Sequence, residues 1–199
     1  MMRISAVLIS PLLLVACSDA PAAPAASANR ATAVFAGGCF WCTESDFDKM
    51  PGVLETVSGY TGGKSARPTY EQVSGGGSGH IEAVRVTYDP TKVSYATLLT
   101  KFIRTVDPVD GGGQFCDRGS QYQSAIFVGN AGQRAAATAA LSAAGAQLKR
   151  PIATLVQPAA AFWPAEGYHQ DYYKKNPTRY KFYRWNCGRD QRLSALWKR

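Results

Sequence analysis

Two cysteines three positions apart carry the clearest chemistry in this chain: Cys39 and Cys42, within Gly37-Gly38-Cys39-Phe40-Trp41-Cys42. A thiol attacks as its thiolate, and the positive end of a helix favours that anion. The two glycines let the backbone approach closely, and the residues after Cys39 read as a helix. Cys39 is therefore expected at a helix N-terminus, with a pKa below that of a free thiol. The Cys39-x-x-Cys42 spacing also suits thiol-disulfide exchange. An isolated cysteine in a buried helix is usually just a small hydrophobe. Here the glycines, the helix start and the aromatic pair together single out Cys39 as the working nucleophile of a thiol-based redox enzyme. Phe40 and Trp41 offer an apolar wall suited to a methyl or thioether group.

The other cysteines are Cys17, Cys116 and Cys187, and the only histidines are His80 and His169. There is no paired C-x-x-C, so no metal site is expected. The histidines read as structural hydrogen-bonders.

The elements that must position these residues follow from periodicity and punctuation. Residues 31–36 read as a buried strand running into the glycine turn, and residues 40–49 as a helix closed by Pro51-Gly52. Strands are expected at 53–60 and at 81–88, where apolar and polar residues alternate. Ser94 is placed to cap a helix over 95–105. A strand at 124–128, an alanine-rich helix at 133–148 and a strand at 152–157 complete the pattern. The order β-α-β-β-α-β-α-β predicts an α/β (α+β) fold: a two-layer sandwich with a ferredoxin-like core. Two long loops, around Gly111-Gly112-Gly113 to Gly119 and from residue 158 to 170, are expected to be catalytic.

The chain has 199 residues and a formal charge of +8. Much of that charge lies after Lys174, with no nucleic-acid motif beside it, so a solvated basic tail is expected and no nucleic acid. Residues 1–16 combine Arg3 with an apolar run too short to span a bilayer, and read as an export signal. The run ends Leu14-Val15-Ala16-Cys17, which resembles the lipobox of bacterial lipoproteins, with Cys17 the lipidated residue. Residues 17–30, rich in Ala, Pro and Ser, form a flexible tether. The remaining domain, 31–199, is expected to be a monomer, exported to the periplasm and held at a membrane only through this lipid. Ser18 after Cys17 points to the outer membrane.

Gly38-Cys39-Phe40-Trp41-Cys42 resembles the signature of type A peptide methionine sulfoxide reductases. The similarity continues through Gly59-Tyr60-Thr61-Gly62-Gly63, Pro68-Thr69-Tyr70, Gly79-His80-Ile81-Glu82-Ala83-Val84 and Tyr88-Asp89-Pro90. It resumes at Asp117-Arg118-Gly119-Ser120-Gln121-Tyr122 and at Ala165-Glu166-Gly167-Tyr168-His169-Gln170. The resemblance implies reduction of the S epimer of methionine sulfoxide, free or in oxidised proteins. It assigns Cys39 as the nucleophile that becomes a sulfenic acid, and Glu82 as the acid that protonates the sulfoxide oxygen. Tyr70 and Tyr122 become hydrogen-bond donors to that oxygen, Asp117 an organising residue, and Phe40 and Trp41 the methyl pocket. Glu82 needs a raised pKa for this role.

A second thiol must resolve the sulfenic acid. Family members often use C-terminal cysteines, so Cys187 is the expected resolving thiol, with Cys116 and Cys42 as alternatives. The family also implies no bound cofactor and an external thioredoxin-like dithiol reductant. The rival reading is a general thiol-disulfide oxidoreductase that uses Cys39 and Cys42 and has no need of Glu82, Tyr70 or Tyr122.

Overall fold

In a computed structural model that describes residues 29–198, the chain builds one six-stranded sheet with helices against it. The export segment, Cys17 and nearly all of the tether lie outside the described residues. Strand β1 (Ala31–Gly37) runs through the glycine turn into α1 (Phe40–Phe47). Strand β2 (Val53–Thr61), the short α2 (Tyr70–Ser74), β3 (Ile81–Tyr88) and α3 (Tyr95–Thr105) follow. A small hairpin of β4 (Gly113–Gln114) and β5 (Asp117–Arg118) precedes β6 (Ser124–Val128) and α4 (Ala131–Leu148). Then come β7 (Leu155–Pro158) and β8 (Trp163–Pro164), and three helices close the chain: α5 (Tyr172–Lys175), α6 (Pro177–Asn186) and α7 (Arg189–Trp197).

The sheet order is β7-β6-β1-β3-β2-β8. Its four inner strands, β6-β1-β3-β2, are antiparallel to their neighbours and give the expected ferredoxin-like core. Strand β7 adds a parallel edge beside β6. Alternation sorts the two faces. Phe35, Val84, Val86 and Ile126 join the main core, where Phe35 stacks on Phe47 and Phe102 with ring centroids 5.0 Å apart in each pair. Small residues Ala36, Ala83 and Ala125 face the other way, with Phe127. Ser94 caps α3 by accepting from the Thr97 N–H, and the buried face of that helix is Leu98, Leu99, Phe102 and Ile103.

Strand β7 starts at Leu155, later than the expected residue 152. The N–H groups of Ala153 and Thr154 first donate to the Pro108 carbonyl, at 2.7 and 3.2 Å, so this stretch is tied to a loop before it reaches β6. Helix α4 begins two residues earlier than its expected start at Gln133, because Asn130 caps it through the Gln133 N–H.

The basic C-terminal segment is not the solvated tail expected. It is helical, and Tyr180, Arg189, Leu193 and Trp197 are buried. The reason lies in α1, whose Glu44 and Asp46 are buried and need partners. Arg184 pairs with Asp46 at 3.0 Å, Lys174 with Asp48 at 2.8 Å, and the Asp171 N–H donates to Glu44 at 3.0 Å. Arg192 pairs with buried Asp107 at 2.7 Å. Several of the tail's cations thus hold it onto the domain. Among the described residues no helix is long and apolar enough to cross a membrane.

Candidate active site

Cys39 is the N-cap residue of α1, and the N–H groups of Cys42 and Thr43 turn back to its carbonyl. Gly38 has a φ of +76°, and a Cβ there would lie 2.5 Å from the Gln114 side chain. Only glycine lets strand, turn and loop meet this closely. The fold thereby sets the Cys39 thiol, 7% exposed, at a small cavity of about 60 Å³.

The cavity is lined by Cys39, Phe40, Trp41, Tyr70, Glu82, Asp117, Tyr122 and Tyr183. The first seven are the residues expected from the sequence; Tyr183 is an addition. They arrive from α1, the start of α2, β3, β5, the turn before β6, and α6.

Glu82 sits in β3 opposite Tyr60 of β2 and is 2% exposed. The Phe40 N–H donates to its Oε2 at 3.0 Å. Burial raises its pKa to about 8, and the nearby Asp117 and Cys42 add to this against the Phe40 hydrogen bond. At neutral pH it is a carboxylic acid, as a proton donor here must be. Tyr70 starts α2, whose capping box joins Thr69 and Gln72. Its N–H donates to Glu166 Oε1 at 2.8 Å, while the Tyr60 hydroxyl donates to Oε2 at 2.8 Å, so Glu166 clamps α2 to β2. Burial pushes the Tyr70 phenol up to about 12 and the Tyr122 phenol higher still. Both stay protonated and able to donate.

Asp117 accepts a short hydrogen bond from the Tyr183 hydroxyl, and burial raises its carboxyl above the ordinary range. Trp41 is sandwiched into place: Tyr172 stacks on it at 3.7 Å, Tyr183 meets it edge-on at 5.7 Å, and its Nε1–H donates to His169 Nδ1 at 3.0 Å. His169 must carry its proton on the other nitrogen to accept, and burial holds its pKa down. His80 bonds Ser65 and the Gly63 N–H. Both histidines serve structure, as expected.

The expected lowering of the Cys39 pKa is overturned. Burial pushes this thiol well up, and Cys42, Glu82 and Asp117 push in the same direction. The helix start cannot compensate, because the first free N–H of α1, that of Phe40, is given to Glu82. Cys42 goes the other way: Cys39, then Arg189 and Arg184, lower it to about 7 against the effect of burial.

Cys187 is disulfide-bonded to Cys116, with Cα atoms 4.9 Å apart, while Cys39 and Cys42 are free thiols, both buried at the start of α1. Cys116, Asp117 and Cys187 bring three ligand-type atoms together, but the two sulfurs are bonded to one another and offer no thiolate.

Sequence reasoning missed Tyr183, Glu166 and Tyr172 as contributors. The signal for the two tyrosines was the aromatic density of residues 172–185, and that for Glu166 was its place in the Ala165–Gln170 motif.

Residues 31–199 match the family described as peptide methionine sulfoxide reductase. The chain belongs to this family. A peptide methionine sulfoxide reductase MsrA 2 of Rhizobium meliloti (strain 1021) is 58% identical over 174 residues, 87% of each chain. The reduced form of Mxr1 from Saccharomyces cerevisiae superimposes with a TM-score of 0.72 at 29% identity, over 76% of this chain and 88% of that one. Mxr1 in complex with Trx2 shares the fold at a TM-score of 0.52 and 20% identity, over 78% and 91%. As a member of the peptide methionine sulfoxide reductases, the enzyme reduces methionine sulfoxide to methionine, and the cavity at Cys39 is where its family signature converges.

Proposed function

We propose that this reductase takes the S epimer of methionine sulfoxide, free or in oxidised proteins, and works in two thiol steps. The observation that carries this is one cavity holding a thiol, a carboxylic acid that is neutral at pH 7, and two phenols. The Cys39 thiol gives its proton to solvent and the thiolate attacks the sulfoxide sulfur. Glu82 protonates the sulfoxide oxygen, and Tyr70 and Tyr122 donate hydrogen bonds to it as its charge grows. Methionine leaves, and Cys39 carries the hydroxyl as a sulfenic acid. Phe40 and Trp41 hold the methyl group that stays on the methionine sulfur.

Cys42 then attacks the Cys39 sulfur. The Cys39–Cys42 bond forms, the S–O bond breaks, and the hydroxide leaves as water after taking a proton. A thioredoxin-like dithiol reduces the disulfide by exchange. Support for Cys42 over Cys187 is that it is a free thiol one helical turn from Cys39, whereas Cys187 is already bonded to Cys116. Mass mapping after one turnover tests it: a Cys39–Cys187 or Cys39–Cys116 bond restores the C-terminal reading.

The S and R epimers of a blocked methionine sulfoxide, supplied with dithiothreitol, test the activity beside a Cys39→Ser control. Turnover of the S epimer alone, lost in the control, is expected; turnover of the R epimer sinks the assignment. The N-terminal pattern supports export to the periplasm and lipidation at Cys17, with a monomeric domain tethered to the outer membrane. Cys17→Ala should release the protein to the soluble fraction, and unchanged membrane association would contradict the anchor.

A further inference from the structure

The Trp41 indole is held on three sides, and one of those holds has a direction within its plane. Tyr172 stacks on it, with centroids 3.7 Å apart and planes 6° from parallel, and Tyr183 meets it edge-on at 5.7 Å. Ring contacts set the plane of an indole more firmly than its rotation within that plane. A hydrogen bond is directional. The bond from Trp41 Nε1–H to His169 Nδ1, at 3.0 Å, therefore sets which edge of the indole faces the cavity.

His169 is 1% exposed and packs on other walls of the cavity too: its ring centre lies 4.9 Å from that of Phe40 and 4.5 Å from that of Tyr70. The backbone around it is anchored without the imidazole. Gln170 accepts the Ser58 N–H and donates to the Ser58 carbonyl, both at 2.9 Å, and the Asp171 N–H donates to Glu44 at 3.0 Å. With Nδ1 accepting, the proton sits on Nε2, which is buried with no partner among the described residues. A buried N–H left unpaired costs free energy. The contact that offsets this cost is the bond to Trp41. Burial keeps the ring neutral against the pull of Glu166 and Glu71, and only the neutral form can accept.

We propose that His169 is a positioning residue that sets substrate specificity: by accepting the Trp41 indole N–H it fixes the wall of the methyl pocket, so that the site takes S-methyl sulfoxides and turns away S-ethyl ones. The proposal rests on the reading of Phe40 and Trp41 as that pocket. In a cavity of about 60 Å³, the setting of one indole decides whether a further methylene fits. One methylene in an apolar pocket is worth about 10–200-fold in discrimination. His169 touches no reacting atom; it acts through Trp41.

The test uses the full-length enzyme and two substrates in competition: the S epimers of blocked methionine sulfoxide and of its S-ethyl analogue, with dithiothreitol. Their relative kcat/KM reads selectivity alone, because both substrates share the same active enzyme and any loss of folded protein cancels. The wild type should prefer the methyl substrate about tenfold or more. His169→Leu, which fills the space without an acceptor, should lower that ratio about fivefold or more, towards parity. His169→Asn, whose amide oxygen falls where Nδ1 lies, should restore most of it. Trp41→Phe has no N–H to donate. It should lower the ratio by itself, and adding His169→Leu to it should change the ratio no further.

A wild-type ratio in folded His169→Leu overturns the proposal. If that variant does not fold, His169→Gln decides in its place: its amide reaches the Nε2 position and not Nδ1, so an unchanged ratio there overturns the proposal equally. A wild type that takes both substrates alike leaves His169 nothing to set and overturns it too. An unchanged ratio in Trp41→Phe removes Trp41 from the methyl pocket, and His169 with it. A ratio lowered in Trp41→Phe but not in His169→Leu keeps the pocket and rejects only His169.

Discussion

The Tyr183 hydroxyl donates to the Asp117 carboxylate, joining helix α6 of the C-terminal arm to the β4–β5 hairpin at the cavity. Tyr183 also meets the edge of Trp41, so one side chain positions both a carboxyl and the apolar wall. Tyr183→Phe keeps the ring and removes the donor. Asp117 would be left half-buried without this partner, a loss of about 1–3 kcal/mol. Methionine formation in a single turnover should slow about tenfold, consistent with that energy. Equal rates in the two proteins would show that the hydrogen bond only supports the fold.

Glu82 and Cys39 together set the pH dependence of the first step. Both pKa values are raised, Glu82 to about 8 and Cys39 further. The reacting form needs a thiolate and a carboxylic acid, which is one proton shared between two sites. The single-turnover rate should therefore rise about tenfold per unit below about pH 8 and then level as Glu82 begins to ionise. Glu82→Gln should lower the rate about a hundredfold or more and let the rise continue past that point. Stopped-flow measurement across the range decides. A wild-type rate that is flat below the Glu82 pKa would mean that the thiol reacts without prior loss of its proton.

The core elements were legible because each is specified locally. Residues 81–88, 95–105 and 124–128 alternate, or carry a cap and an apolar face, and form the elements expected at the residues expected. The seven expected cavity residues were legible through ordered motifs, not through spacing: nothing in the period of β3 says that Glu82 faces a thiol. The C-terminal arm was misread for the opposite reason. Its helices have weak apolar faces, and their order comes from partners far away in sequence, such as Arg184 with Asp46. The ionisation of Cys39 was misjudged similarly. A helix N-terminus is visible in sequence, but the burial and the Glu82 carboxyl that override it come from tertiary packing.

Glu82 also makes stability depend on pH. The native state keeps its proton up to about pH 8, whereas the unfolded chain releases it near 4.5. Between those values the unfolded state binds fewer protons, so this residue's contribution falls as pH rises, by a few kcal/mol in all. Glu82→Gln has no proton to lose. The variant should gain stability relative to the wild type as pH rises through this window, and denaturant titrations at its two ends measure the difference. A difference that does not change with pH would mean that Glu82 is ionised in the native enzyme.

The Cys116–Cys187 bond separates the two readings of the C-terminal cysteines. It closes a loop of 71 residues and ties the β4–β5 hairpin to the end of α6. Such a crosslink typically stabilises by about 2–4 kcal/mol. In the double variant Cys116→Ser, Cys187→Ser, unfolding should shift by an amount of that order. With Cys42 as the resolving thiol, the variant should still form a Cys39–Cys42 disulfide after one equivalent of substrate and still turn over with dithiothreitol. Trapping the oxidised variant with a sulfenic acid reagent gives the contrary outcome its signature. Accumulation of Cys39 sulfenic acid, with Cys42 left as a thiol, would return the resolving role to the C-terminal arm. The bond seen between Cys116 and Cys187 would then be a redox partner of the site and not a staple of the fold.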